Sequence, residues 1–155
     1  MTWINMARVV RPDAVKLESA RALITSASRS EMARLLGQWY ASQGWSLGQW
    51  PSGAWIDFEM VRHGVRTLVS LDHSSSLRVS ERALLELLHT AESLGADRVL
   101  VASGGGYSWA AERLARARRS SIEILDAKQL QLVLARALTL PVPARAPFRL
   151  AGVAA

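Results

Sequence analysis

The sequence has no cysteine, which excludes disulfide bonds, thiolate metal sites and cysteine nucleophiles. It also has no apolar run approaching the ~20 residues of a membrane span, and its first residues lack the layout of a signal peptide. We therefore expect a soluble, cytoplasmic protein with no membrane contact. Lysine is nearly missing too, because all of the 19 basic residues except Lys16 and Lys128 are arginine.

The charge is strongly positive, with 19 basic against 13 acidic residues, a net charge of +6 and an isoelectric point near 11.0. Positive potential attracts phosphate backbones, and arginine suits bidentate contacts with phosphate. Abundant arginine and alanine can also reflect a GC-rich genome. Because the charge is clustered, we favour a nucleic-acid partner, with DNA in first place.

The 155 residues, half of them apolar, are enough for one domain with its own core. We expect an N-terminal segment (1–11), a folded domain (12–139) and a Pro/Ala-rich tail without fixed structure (140–155). The apolar periodicity predicts the order α-α-β-β-β-α-β-α-β-α. This order is typical of an α/β fold with a mixed sheet flanked by helices.

Two segments, 55–61 and 65–72, alternate as the strands of a hairpin. His63-Gly64 suits a two-residue turn, and counting back from that turn places Asp57 opposite Ser70. Asp72 then lies one diagonal step away on the same face. A three-residue turn would put the two aspartates on opposite faces. On the first strand the alternation predicts one apolar face, formed by Ile56, Phe58 and Met60.

Two helices carry further expectations. Ser28 and Glu31 form a capping-box pattern at the start of the second helix. The third helix, from about Ser80 to Leu94, is expected to bury Leu84, Leu85, Leu88 and Ala91.

Four stretches in this order resemble the Mrr-type branch of the PD-(D/E)xK restriction-endonuclease-like superfamily. They are Gln43-Gly44-Trp45, Gly53–Phe58, Leu94–Ser103 with Gly106–Ser108, and Ile122–Leu130. The resemblance covers residues 28–138 and implies a restriction-endonuclease-like fold more firmly than an activity.

The resemblance also implies a site on the hairpin. In active members an Asp and a Glu or Gln bind Mg²⁺, and a Lys assists the attacking water. Asp57 matches the first position, but Ser70 and Asp72 stand where Glu or Gln and Lys belong. Asp57, Glu59 and Asp72 could still bind a hard cation, and Arg66 is the nearest positive residue. The catalytic strand therefore looks degenerate.

Glu31 matches the helix-borne acid that supports the metal in the family, although the capping box fully explains it and is the interpretation we favour. The glycine loop before Ser108 either presents N–H groups to a phosphate or is a tight strand-to-helix turn. Trp50 and Trp55 border the predicted site and are candidates for contact with a nucleic acid or a protein. The full predicted nucleic-acid-binding set is Arg66, Gly105, Gly106, Tyr107, Ser108, Arg113 and Arg116.

We therefore expect a nucleic-acid-binding protein that does not cut efficiently, with no cofactor, or with Mg²⁺ if it is active. One alternative is a Mg²⁺-dependent DNA endonuclease with a rearranged site at Asp57, Glu59 and Asp72. Another is a protein-interaction or structural module that retains only the fold and uses its aromatic residues to contact a partner or a second copy.

Overall fold

The computed structural model describes residues 13–49, 55–72, 77–141 and 148–150. Within them the elements follow the predicted order and gain one strand at the end. They are α1 (Ala14–Ser26), α2 (Arg29–Ser42), β1 (Ser46–Gln49), β2 (Phe58–Arg62), β3 (Val65–Asp72), α3 (Glu81–Ser93), β4 (Arg98–Ser103), α4 (Trp109–Ala117), β5 (Ile122–Leu125), α5 (Ala127–Leu138) and β6 (Phe148–Leu150).

The strands form one mixed sheet in the order β5-β4-β3-β2-β1-β6. Strands β3, β4 and β5 are parallel, and β2 is antiparallel to both β3 and β1. This confirms the predicted mixed sheet flanked by helices. Strand β6 lies in the segment expected to be a tail and pairs in parallel with β1, which the sequence analysis did not predict.

Helices cover both faces of the sheet and create two apolar cores. On one face α1, α2 and α5 pack against inward residues such as Phe58, Val69 and Leu100. On the other face α3 and α4 pack against Leu68 and Val99. Neighbouring strand residues alternate between the two cores because successive side chains point to opposite faces.

Two apolar side chains face differently from the prediction. The ladder of β2 begins at Phe58, so Ile56 precedes it and packs in the core beneath α3 and α4, away from Phe58. On α3, Leu85 is 43% exposed and Leu87 is buried instead. The buried residues of α3 are therefore spaced three and four apart, as one helical stripe requires.

One edge of the sheet carries Asp57, Asp72 and the glycine loop, whereas Arg66 lies near the opposite end of β3. Strands β3, β4 and β5 end there, at Asp72, Ser103 and Leu125, and we call it the carboxyl edge. Because β2 runs in the opposite direction, its first residue, Phe58, lies at the same edge. Helices α3, α4 and α5 begin there as well, since each follows one of these strands. Among the described residues, no helix is long and apolar enough to cross a membrane.

Candidate functional site at the carboxyl edge

The β2–β3 hairpin has the predicted two-residue turn. His63 and Gly64 have φ angles of 51° and 77°, as a type I′ turn requires. The ladder runs from Arg62 opposite Val65 to Phe58 opposite Val69, which confirms the predicted register over these five pairs, but the predicted pair of Asp57 with Ser70 is not part of it. Asp57 lies one residue beyond the ladder, where its N–H still donates to the Val69 carbonyl (2.8 Å).

The carboxylate of Asp57 is bound by an arginine from α2. Arg29 Nε donates to Asp57 Oδ1 (2.7 Å), and Arg29 Nη2 donates to Oδ2 (2.9 Å). The N–H of Leu71 also donates to Oδ2 (2.7 Å). Asp57 therefore joins the start of α2 to the end of β3 through three N–H donors, two of which belong to a cation.

This ion pair is largely shielded from water, with 11% of the Asp57 side chain and 36% of the Arg29 side chain exposed. Hydrogen bonding to Asp57 raises the pKa of Arg29 above its ordinary value, although burial opposes the shift. The negative charges of Asp57 and Asp72 raise the pKa further. Both predicted catalytic aspartates therefore act on one permanently charged guanidinium.

The two residues of β3 in the predicted catalytic site, Ser70 and Asp72, also have structural partners. Ser70 is buried and donates its hydroxyl hydrogen bond to the Trp55 carbonyl, which fixes the chain just before β2. Asp72 Oδ2 accepts from the hydroxyl of Ser103 at the end of β4 (3.4 Å). The Ser103 hydroxyl in turn accepts from the N–H of Gly105 (3.2 Å).

Glu59 forms a separate ion pair with Arg66. Arg66 Nε lies 2.7 Å from Glu59 Oε2, and Arg66 Nη1 donates to the Leu94 carbonyl (2.7 Å). Glu31 is exposed in the first turn of α2, where its N–H donates to the Ser28 hydroxyl (3.1 Å). The side chains of Glu59 and Arg66 are thus engaged with each other.

The described carboxylates do not fit a Mg²⁺ ion in this arrangement. Mg²⁺ needs near-octahedral oxygen ligands at about 2.0–2.1 Å. The oxygens of Asp57 already accept three N–H donors, and the Arg29 charge stands where a cation would bind. Within the described ranges no group of three or more His, Asp or Glu side chains is placed to hold a metal.

A cavity of about 320 Å³ opens beside the ion pair, between β3 and α3. The residues that line it include Arg29, Ser70, Asp72, Arg78 and Trp55. Trp55 is 75% exposed, in agreement with its prediction as a surface residue.

The glycine loop from Gly104 to Gly106 is held by its own neighbours. Tyr107 is buried, and its hydroxyl lies 2.8 Å from the Val101 carbonyl and 2.7 Å from the Leu125 carbonyl. Burial raises the pKa of Tyr107, so the hydroxyl remains a donor. The Ser108 hydroxyl accepts from the N–H of Ala111 and caps α4. The side chains of Tyr107 and Ser108 thus shape the loop.

Helix α4 carries Arg113 and Arg116, both exposed, and Arg116 Nη2 lies 3.9 Å from Glu112 Oε2. Trp109, in the first turn, is 68% exposed, and the Arg113 guanidinium lies 4.5 Å from its ring centroid.

Sequence reasoning missed Arg29 and Trp109, although each had a signal. Arg29 follows the N-cap Ser28, where the helix dipole disfavours a positive charge. Trp109 precedes Arg113 by four residues on one helix face. Trp50, the segment 1–11 and most of the predicted tail lie outside the described residues.

Comparisons with known proteins show the fold. No protein-family model and no curated protein matches the chain. Among solved structures, the MspJI restriction endonuclease in complex with a 27-mer oligonucleotide matches with a TM-score of 0.56 and 12% identity. The match covers 81% of this chain and 31% of the endonuclease, so the chain spans about a third of that protein. A protein of unknown function matches with a TM-score of 0.49 and 13% identity, over 61% of this chain and 58% of that one. The chain has a restriction-endonuclease-like fold, as its sequence predicted.

Proposed function

We propose that this chain binds nucleic acid with a nuclease-like fold and does not cut it with Mg²⁺. The observation that carries the proposal is the bidentate Arg29–Asp57 ion pair. In a hydrolytic site a metal ion would bind the Asp57 carboxylate, but here the Arg29 guanidinium binds it.

Three features support the loss of cleavage. Phosphodiester hydrolysis by this kind of fold needs a cation that generates hydroxide and stabilises the leaving oxygen. The Asp57 carboxylate is neutralised by Arg29, and Ser70 is a poor metal ligand that is bonded to the Trp55 carbonyl. The position expected for Lys carries Asp72, which adds negative charge where hydroxide and phosphate would have to meet.

Binding is supported by charge and by its placement. The net charge of +6 favours polyanions, and the carboxyl edge exposes Arg78 while α4 exposes Arg113 and Arg116. Neither Arg78 nor Arg113 forms an ion pair with another described residue. The MspJI structure of similar fold was solved with an oligonucleotide, which makes DNA a reasonable first ligand to test.

The test incubates the protein with plasmid and linear DNA, with and without Mg²⁺ or Mn²⁺, and reads retardation and cleavage in the same samples. We expect retardation that falls steeply with salt and no metal-dependent cleavage. Replacing Arg113 and Arg116 by Ala should flatten the dependence of log affinity on log salt by about one unit per lost phosphate contact. The matched control removes Arg21 and Arg34, two exposed arginines of α1 and α2 that are carried on the other face of the sheet.

Two outcomes would contradict the proposal. If pure wild-type protein nicks plasmid with either metal and Asp57→Ala abolishes the nicking, the chain is an endonuclease with a rearranged site. If no DNA is retarded even at low salt, the protein-interaction alternative is favoured. The double change Ser70→Glu and Asp72→Lys restores the family pattern, but we expect no cleavage from it while Arg29 still occupies Asp57.

A further inference from the structure

The most exposed aromatic residues of the described chain are Trp55 and Trp109, at 75% and 68%. Trp109 belongs to neither apolar core. Its ring contacts the guanidinium of Arg113, one turn later on the same helix. An indole has two faces and Arg113 stacks over one, so much of the ring remains free to contact another planar group.

Trp109 lies next to the cavity at the carboxyl edge. Two backbone hydrogen bonds join the chain before α4 to the chain before α3: Val79 donates to the Gly106 carbonyl and Ser108 donates to the Val79 carbonyl, both at 2.9 Å. Arg78, Val79 and Trp55 line the cavity. The start of α4, with Trp109, therefore adjoins the part of the cavity wall that Arg78 and Val79 form.

The charge around Trp109 identifies the class of partner. Residues four and seven positions after Trp109 share its helix face, and they are Arg113 and Arg116. From Trp109 to Arg119 the chain carries four arginines against one acid, Glu112. Arg116 lies 3.9 Å from Glu112, whereas Arg113 forms no ion pair with another described residue. An exposed ring beside a net positive charge is complementary to a ligand that combines planar rings with phosphates, which is a nucleic acid.

We propose that Trp109, with Arg113 stacked on it, binds an unpaired base, so that single-stranded nucleic acid is preferred over duplex. In a duplex the faces of the bases are stacked on one another, and only an unpaired base can stack on an indole. The phosphates on either side of that base are held by Arg113, Arg116 and Arg78. This inference rests on the proposed nucleic-acid-binding function and specifies its ligand.

The test measures fluorescence anisotropy of the full chain with three labelled ligands of about 20 nucleotides. They are an oligothymidylate strand, an abasic strand with the same phosphates, and a duplex. We expect the wild type to bind oligothymidylate most tightly. Trp109→Ala should weaken that binding by about 10-fold, change abasic-strand and duplex binding little, and be largely rescued by Trp109→Phe.

Val15→Ala on α1 is the matched control, since Val15 is 72% exposed and carried on the opposite face of the sheet. It should leave all three affinities unchanged. The stacking role would be overturned if the abasic strand bound as tightly as oligothymidylate, or if Trp109→Ala left the affinity for oligothymidylate unchanged. In either case retardation of duplex DNA would still support the proposed function. If no nucleic acid binds and Trp109→Ala instead dissociates an oligomer in size-exclusion chromatography, both proposals fail and the surface is a protein interface.

Discussion

Removing Arg29 should destabilise the protein more than removing an ordinary surface arginine. In Arg29→Met, the Asp57 carboxylate loses two of its three N–H donors and keeps Leu71. Breaking a buried ion pair costs about 3–5 kcal/mol because a charge is left without a partner. Since 36% of the Arg29 side chain is exposed, water screens part of this loss, and we expect about 1–3 kcal/mol.

A double-mutant cycle separates the ion pair from the packing of each side chain. Asp57→Asn keeps the side-chain shape and removes the charge, so the double variant should lose less than the two single changes together. We expect a coupling energy of about 1–2 kcal/mol from urea unfolding followed by circular dichroism. The control cycle uses Arg82 and Glu86, whose side chains are 88% and 64% exposed, and it should give about 0.5 kcal/mol or less. Equal coupling in the two cycles would refute the reasoning.

The same variant tests whether Arg29 excludes a cation. Mg²⁺ should leave the unfolding midpoint of the wild type unchanged because Asp57 is already neutralised. In Arg29→Met the freed carboxylate should bind Mg²⁺ weakly, and a tenfold excess over its dissociation constant would add about 1.4 kcal/mol of stability. Mg²⁺ stabilising the wild type as much as the variant would contradict the assignment of Arg29.

Two further predictions concern the glycine loop. Tyr107→Phe leaves two buried carbonyls without their donor and should cost about 1–2 kcal/mol in urea unfolding. The folded-state pKa of Tyr107 is raised. The protonated hydroxyl therefore adds its full share to the free energy of unfolding below the ordinary tyrosine pKa of about 10, and this share is lost as the pH rises above that value. Wild-type stability should therefore fall more steeply with alkaline pH than that of the Phe variant, and an equal fall would contradict this. Gly104→Ala places a Cβ 2.5 Å from Ile24 Cγ2 and should lower the free energy of unfolding by about 1–3 kcal/mol. A second change, Ile24→Ala, should partly restore this loss. A Gly104→Ala variant as stable as the wild type would refute the close contact.

The hairpin was predictable because its determinants are local. A His63-Gly64 pair between two alternating segments accepts the two positive φ angles of a type I′ turn, and the turn fixes every pair in the ladder. The strand start was not predictable to the residue. The ladder ends at Phe58 opposite Val69, and the Asp57 N–H also bonds to the Val69 carbonyl, so the regular alternation does not extend back to Ile56.

Arg29 was not predictable as the partner of Asp57, although the start of its helix was. The capping pattern placed the first turn of α2 correctly, and Glu31 was the residue of that turn for which the resemblance implied a role. Which side chain of that turn meets β2 depends on how the helix is rotated against the sheet, and the apolar stripe fixes this only approximately. A basic residue directly after an N-cap opposes the helix dipole. That conflict indicates a compensating acid elsewhere in the fold, which the structure supplies at Asp57.

Asp57 and Glu59 also show why a metal site cannot be predicted by counting carboxylates alone. Asp57 and Glu59 are two residues apart, yet each is neutralised by its own arginine, Arg29 from α2 and Arg66 from β3. A divalent cation needs uncompensated negative charge from several oxygens. Because an arginine neutralises each of these acids, this part of the sheet repels a phosphate backbone much less than two free carboxylates would. The ion pair that takes the Asp57 carboxylate from a metal ion therefore also cancels its negative charge, as the proposed binding of a polyanion without a metal ion requires.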